Sequence, residues 1–303
     1  MRRARFWVAA MVAVLALIVA SCAGNDDEGG GATAATAATA ATGATGATAT
    51  GATGATGETA APTFTTQTEG VLRVGSCLDY PPFEAIKGGD EVGFDIDLTE
   101  EIASRLGLEV EWVVANFNTI FTAVAGGEFD MVAAAATIGA NREQTVDFSI
   151  PYFNSRQALV VNTNETPDLT STDQLEAGDV VGAQAGTTGS KWIEENLVPN
   201  GILIQTFVSA TDGLRALEGG GMTAFVADEP FVAEAAKDLP ALAIVQGIET
   251  HEKYGLAFSP ENPELRDAVN ATLTEIIADG TYTTIYEKWF PGAPVPPEFQ
   301  PTA

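Results

Sequence analysis

The sequence predicts an α/β protein folded as two lobes around a cleft, and three observations lead there. From Val71 onward, short apolar strands alternate with helices of about ten residues, the rhythm of βαβ units and a parallel sheet. The alternation runs through two series, joined by polar extended segments such as Asn162-Thr163-Asn164. The turns that carry chemistry follow strands, and sheets of this class hold ligands beyond their strand carboxyl ends.

The first series opens with a strand over 71–75. Tyr80-Pro81-Pro82-Phe83 is a rigid turn that holds two aromatic rings up. Gly93 to Leu98 leads into a helix that closes at Leu106-Gly107, with Gly107 as its C-terminal cap. A strand over 108–114, a helix over 117–125 stopped by Gly126-Gly127, and a strand over 131–135 follow. Arg142 comes after a run of small residues, near an expected helix start. The second series has strands over 180–183, 202–205 and 224–227, with helices starting at Ser190, Asp212 and Pro230. A strand over 255–258, an amphipathic helix over 262–279 and a shorter helix ending at Trp289 complete the pattern. The expected lobes are residues 70–161 with 250–303, and residues 162–249, with the connectors near those boundaries as the hinge.

Ahead of this region, Arg2, Arg3 and Arg5 precede an apolar run over 6–20, which ends in Val19-Ala20-Ser21-Cys22. The layout is that of a secretory signal, too short and wrongly flanked for a stable transmembrane helix. Its ending resembles the bacterial lipobox. That implies a signal peptide over 1–21, lipid on Cys22, and an extracytoplasmic protein anchored to the cell membrane. Residues 22–69 read as a disordered tether, because 29–63 are almost entirely Ala, Thr and Gly and offer no apolar face. Cys22 and Cys77 are the two cysteines. Lipid on the first leaves no disulfide, so stability rests on a hydrophobic core. Forty-one Asp and Glu oppose 14 Lys and Arg, a formal charge of −27. Such a field makes nucleic acid and anionic surfaces poor partners.

No metal, cofactor or catalytic residue is expected. The single histidine, His251, has no His or Cys at ligand spacing and sits in a polar connector, facing solvent. The segment 182–191 fails the phosphate-loop spacing because Ser190 intrudes before Lys191. Its Thr187 and Thr188 still stand after a strand and at a helix start, where backbone N–H groups suit a small anion. They read equally as a plain β–α turn with a threonine cap. Arg142 offers a planar fork for a carboxylate; alone, it reads also as a surface pair with Asp147 or Glu143. Asp228 ends a strand and suits an ammonium group, or serves as a helix N-cap before Pro230. Tyr80 and Phe117 fit a ligand wall or an ordinary core.

Taken in chain order, these markers carry a resemblance. Tyr80-Pro81-Pro82-Phe83, Val92-Gly93-Phe94-Asp95-Ile96-Asp97-Leu98, Thr137 with Arg142, and Asp147-Phe148-Ser149-Ile150-Pro151-Tyr152 belong to it. So do Ala185-Gly186-Thr187-Thr188-Gly189, Asp279-Gly280-Thr281-Tyr282 and Lys288-Trp289-Phe290. The sequence resembles the extracytoplasmic polar amino-acid-binding proteins of ABC importers, over residues 71–289. The resemblance implies a two-lobed periplasmic-binding-protein-like (type II) fold with a hinge and an interlobe cleft. It further implies a monomer that closes on a free L-amino acid and delivers it to permease subunits.

Carried over by position, the resemblance implies that Arg142 clamps the ligand carboxylate, helped by Thr137 and the Thr187 and Thr188 amides. Asp228 would take the ammonium together with the Ala135 carbonyl, and Tyr80 and Phe117 would sandwich the side chain. Cys77 stands where many relatives place an aspartate that meets cationic side chains, unless Asp79 or Glu84 substitutes. Gln184 stands where the glutamine binder has a lysine, and the expected ligand is a neutral polar amino acid. Two alternatives stay open: a cyclohexadienyl or arogenate-type dehydratase with Asp228 or Glu229 as acid, and a sensory surface lipoprotein.

Overall fold

The computed structural model describes residues 64–301. The expected signal peptide, Cys22 and the tether up to residue 63 lie outside the described residues. Strand β1 (Val71–Ser76) is followed by a small antiparallel sheet of β2 (Asp79–Tyr80), β3 (Glu84–Lys87) and β4 (Asp90–Val92). Helix α1 (Phe94–Leu106), β5 (Glu109–Val114), α2 (Phe117–Ala125), β6 (Met131–Val132) and β7 (Asp147–Phe148) complete the first pass. The chain then runs through β8 (Phe153–Asn162), β9 (Val180–Gln184), α3 (Thr188–Asn196), β10 (Leu203–Phe207) and α4 (Ala210–Glu218). After β11 (Ala224–Asp228), α5 (Glu229–Ala235) and β12 (Leu242–Tyr254), it returns to β13 (Ala257–Phe258), α6 (Pro263–Ala278) and α7 (Thr281–Trp289).

Two five-stranded sheets result, ordered β5-β1-β6-β13-β7 and β10-β9-β11-β8-β12. Each is mixed rather than parallel. The β5-β1-β6 and β10-β9-β11 strands run parallel, whereas β13, β8 and β12 join antiparallel. β8 and β13 are the strands on which the chain enters one lobe from the other, while β12, antiparallel to β8, shares the direction of β11 and leads out of the second lobe. A strand that arrives without a crossover helix enters from the opposite end of the sheet. The start of β8 and the end of β12 pack with the first lobe, Phe153 against Phe83, Phe94 and Phe290 and Tyr254 against Phe83, whereas Gln157 and Ala158 pair with Asp228 and Ala227 of the second. Residues 64–69, assigned to the tether, lie on the first lobe. Phe64 packs against the core, Gln67 N–H donates to Asp130 at 2.8 Å, and Asn262 donates to the Thr65 carbonyl at 3.0 Å.

Local chemistry explains the start of α1. Its N-cap, Gly93, has φ 152°, and a Cβ there would stand 1.9 Å from the Phe83 carbonyl oxygen. The glycine lets the helix start press against the Pro-Pro-Phe turn, where Phe94 N–H donates to the Pro82 carbonyl and Asp95 N–H to that of Phe83. Phe83 itself is fully buried beneath this junction, edge-on to Phe94 and Phe153. At the other end, Gly107 caps α1 in the left-handed conformation the sequence predicts (φ 73°). Gly93→Ala is expected to destabilise the protein by more than about 2 kcal/mol through strain and clash, read as a shift in the urea midpoint. An unchanged midpoint would contradict this packing.

Candidate functional site

The parallel strands aim their carboxyl ends at the cleft, and the site grows from those ends. Cys77 follows β1, Ala135 and Thr137 follow β6, Gln184 closes β9, and Asp228 closes β11. The hairpin contributes Tyr80, α2 begins at Phe117, and the start of α3 contributes Thr187 and Thr188. With Arg142, all ten residues singled out in the sequence line one enclosed cavity, joined there by Glu84 and Ala134.

Arg142 stands on a backbone turn rather than at a helix start: its N–H and that of Glu143 both donate to the Gly139 carbonyl. Its side chain makes neither expected surface pair. Asp147 is bound by Arg266 at 2.6 Å. The Arg142 guanidinium is buried, donating to the carbonyls of Thr137 at 2.6 Å and Gly186 at 3.2 Å. It also lies over the rings of Phe121 and Phe117, 4.6 Å and 5.2 Å from their centroids. Burial lowers its pKa to about 10, so the group stays charged at neutral pH. Two of its five N–H donors are spent on carbonyls, which leaves the fork able to meet a carboxylate.

Beside it, Thr187 caps α3, accepting from Ser190 N–H at 3.1 Å and donating to the Gln184 carbonyl at 2.8 Å. The first backbone N–H groups of that helix have no intrahelical acceptor, which suits an anion. Gly186 faces Asn118 of the first lobe so closely that a Cβ would stand 2.7 Å from the Asn118 side-chain oxygen. A glycine there is what allows the lobes to meet.

Asp228 supplies the opposite charge. It is buried, and as N-cap of α5 its side chain makes no capping bond, so the capping alternative does not hold. Instead its carboxylate accepts from the Tyr80 hydroxyl and from Gln157 Nε2, each at 2.5 Å. Burial first, then the neighbouring Glu252 carboxylate, raises its pKa to about 7. Tyr80 does more than form one side of a sandwich with Phe117. Its ring stacks on Phe231 of α5, with centroids 4.0 Å apart, and so bridges the lobes.

Two further carboxylates surround the cavity. Glu84 is 1% exposed, and neither of its oxygens has a hydrogen-bond partner among the described residues. Burial, with Asp95, Asp79 and Asp228 nearby, pushes its pKa well up. Asp95, also buried, accepts from Ala135 N–H and the Tyr152 hydroxyl, both at 2.8 Å. This pins Ala135 in a left-handed conformation (φ 45°). Cys77 is a half-buried free thiol whose pKa burial and then Glu84 push strongly upward, so it lines the cavity as a neutral group. Gln184 commits its amide nitrogen to the Val208 carbonyl at 2.9 Å. His251 is exposed, as its polar setting predicts.

A single cleft thus sets a buried guanidinium, on a turn after β6, beside a buried carboxylate at the end of β11. The profile of the bacterial extracellular solute-binding proteins, family 3, matches residues 72–292. The chain belongs to that family. Among relatives, a putative ABC transporter arginine-binding protein of Escherichia coli is 32% identical over 225 residues, covering 72% of this chain and 90% of the relative. A probable histidine-binding protein of Neisseria gonorrhoeae is 30% identical, covering 73% of this chain and 83% of the relative. An ancestral arginine-binding protein solved with arginine is 35% identical, with a TM-score of 0.68, covering 73% of this chain and 98% of that one. These neighbours share the two-lobed fold. No helix among the described residues is long and apolar enough to cross a membrane.

For this family 3 solute-binding protein, the sequence did not single out Phe121, Phe231, Gln157, Glu252 or Asp95 as site residues. Phe121 stands four residues after Phe117, on the same helix face, a spacing that could have suggested a second ring for Arg142. The others come from strands or helices without a motif of their own. Asp95 and Asp228 are held above the ordinary carboxylate value of 3.8, at about 6 and about 7. The folded protein therefore keeps protons that the unfolded chain has lost. The resulting stability is full below about pH 4 and is lost as pH rises through the folded values. The ligand-free protein is expected to melt at a higher temperature at pH 5 than at pH 8, by scanning calorimetry. Affinity for an ammonium group is expected to rise over the same interval as Asp228 ionises. Parallel changes in the two quantities would contradict the assignment.

Proposed function

We propose that this protein captures a free amino acid with a cationic side chain, L-arginine foremost, and passes it to an ABC importer while tethered by lipid at Cys22. Arg142 and the α3 N–H groups receive the carboxylate, Asp228 receives the ammonium, and Glu84 receives the side-chain cation. The observation that carries the ligand class is Glu84, a buried carboxylate on the cavity wall whose oxygens lack partners among the described residues. An anion in that position is costly unless a cation meets it. The neutral ligand expected from the sequence rested on Cys77 replacing an aspartate. Glu84, reaching in from β3, offers the carboxylate that Cys77 does not. The arginine- and histidine-binding names among the relatives support the same class. Closure turns on the paired strands β8 and β12, which run between the lobes, since ligand contacts to both lobes favour the closed state.

A second reading keeps a dehydratase with Asp228 as acid, Glu229 being paired with Arg156. A buried carboxyl whose pKa is raised to about 7, as at Asp228, suits protonation of a leaving hydroxyl. One similar structure, 37% identical, is an ancestral amino acid-binding protein described as a precursor of cyclohexadienyl dehydratase. Aromatic product from prephenate or arogenate would favour it.

Isothermal titration against the twenty amino acids tests the main reading. L-arginine is expected to bind, Arg142→Ala to abolish binding, and Glu84→Gln to weaken L-arginine by more than about a hundredfold. A well-folded sample that binds none of the twenty would overturn it.

A further inference from the structure

Glu252 is a buried carboxylate that lines none of the cavity wall yet touches much of what does. It is 5% exposed and makes no salt bridge among the described residues. Each of its oxygens accepts two hydrogen bonds. Oε2 accepts from the Thr137 hydroxyl at 2.5 Å and the Thr188 hydroxyl at 2.9 Å. Oε1 accepts from Gln157 Nε2 at 2.8 Å and the Thr250 hydroxyl at 2.7 Å. These donors fill the acceptor sites of a carboxylate, and they come from the loop after β6, from β8, from α3 and from β12 itself.

The backbone is shaped to deliver it. The pairing of β12 with β8 shifts register between Ile248 and Glu252, and His251 within the bulge has φ 53°. Bulges re-aim side chains, and this one buries Glu252 while its neighbours His251 and Lys253 stay exposed. On the same sheet Gln157 lies opposite Asp228 in register, and its Nε2 donates to both Asp228 and Glu252. Gln157 Nε2 also lies 3.1 Å from the Thr188 hydroxyl. Asp228, Gln157, Glu252 and Thr188 therefore form one unit within the second lobe. Only Thr137 comes from the first lobe, beside its bridge to Tyr254. Each threonine hydroxyl has one hydrogen, and both give it to Glu252. What Thr188 then offers an anion is its backbone N–H rather than its hydroxyl.

We propose that Glu252 is a positioning residue for ligand capture: it sets Gln157 behind the ammonium clamp and Thr188 at the anion-facing helix end, and it takes the Thr137 hydroxyl when the lobes close. The inference rests on the amino-acid-capture reading above. Asp228 is faced by Tyr80 from the hairpin, Tyr254 and Glu252 from β12, Gln157 from β8, Glu84 from β3 and Arg142 from its loop. Among these, Glu252 is the charged neighbour that most raises Asp228, after burial.

Two readouts on the full-length protein test this: the Asp228 carboxyl titration by NMR without ligand, and the dissociation rate of L-arginine by stopped flow. Glu252→Gln is expected to lower the Asp228 midpoint by about one unit and to speed dissociation at least about tenfold. Glu252→Asp keeps the charge but is one methylene shorter, so it should keep the wild-type midpoint and still release ligand fast. A general loss of structure would not separate the two readouts in this way. Wild-type behaviour of Glu252→Gln in either readout overturns the proposal. So does a wild-type dissociation rate in Glu252→Asp, because charge alone would then suffice. If Glu252→Gln fails to fold, Thr137→Val serves: fast dissociation with an unmoved Asp228 midpoint supports the link across the lobes, and a wild-type rate overturns it. If the wild-type protein binds no L-arginine, the proposed ligand falls, and the titration still decides whether Glu252 acts on Asp228.

Discussion

The burial of one guanidinium among several carboxylates is the constraint on which the site depends. Arg142 is the cation lining the cavity, and Asp228 and Glu84 line it too, with Asp95 and Glu252 directly behind. A charge removed from water needs a partner or a shift in its protonation, and each of these groups meets that demand differently. Arg142 rests on two aromatic faces and two carbonyls. Glu252 is satisfied by hydrogen bonds, and Asp95 through one oxygen, Oδ2, while its Oδ1 has no partner among the described residues. Asp228 is partly satisfied, through Tyr80 and Gln157, and Glu84 is left without a partner among the described residues. Carboxyl groups outnumber the one guanidinium, and a ligand that brings positive charge would favour their ionised forms.

The same contacts tie the chemistry to the motion. Tyr80, from the first lobe, reaches both Asp228 and Phe231 of the second. Arg142 reaches the Gly186 carbonyl, and Thr211 donates to the Asp79 carbonyl at 2.8 Å. The groups that would hold a ligand also hold the lobes together. Differential binding to open and closed states would then follow from few residues, because separating the lobes disassembles the clamps.

Much of this was legible in the sequence. Strands with continuous apolar character, such as β1, β9 and β11, and helices with clear caps, such as α1 and α6, were placed to within a few residues. All ten selected residues line one cavity. Those residues sit at strand ends and helix starts, where turn chemistry marks them. What escaped was structure whose signal is divided or local. β12 carries two bulges, which break the alternation of period two, so it read as a polar connector. The first half of β8 alternates buried and exposed residues, Phe153 and Gln157 in against Asn154 and Arg156 out, and its polar members hid it. Glu84 was visible only as a substitute for a missing aspartate. Its burial depends on the hairpin folding back over α1, which no local pattern records.

The central claim is that the cavity selects a positive side chain through Glu84. L-citrulline has nearly the shape of L-arginine and keeps the same carboxylate and ammonium, but its side chain is neutral. Paired calorimetric titrations of the wild-type protein with the two ligands at pH 8 test the claim directly. The account predicts that L-arginine binds at least about a hundredfold tighter than L-citrulline, as expected for a buried carboxylate left unpaired by the neutral analogue. Equal affinities, or tighter binding of L-citrulline, would contradict it.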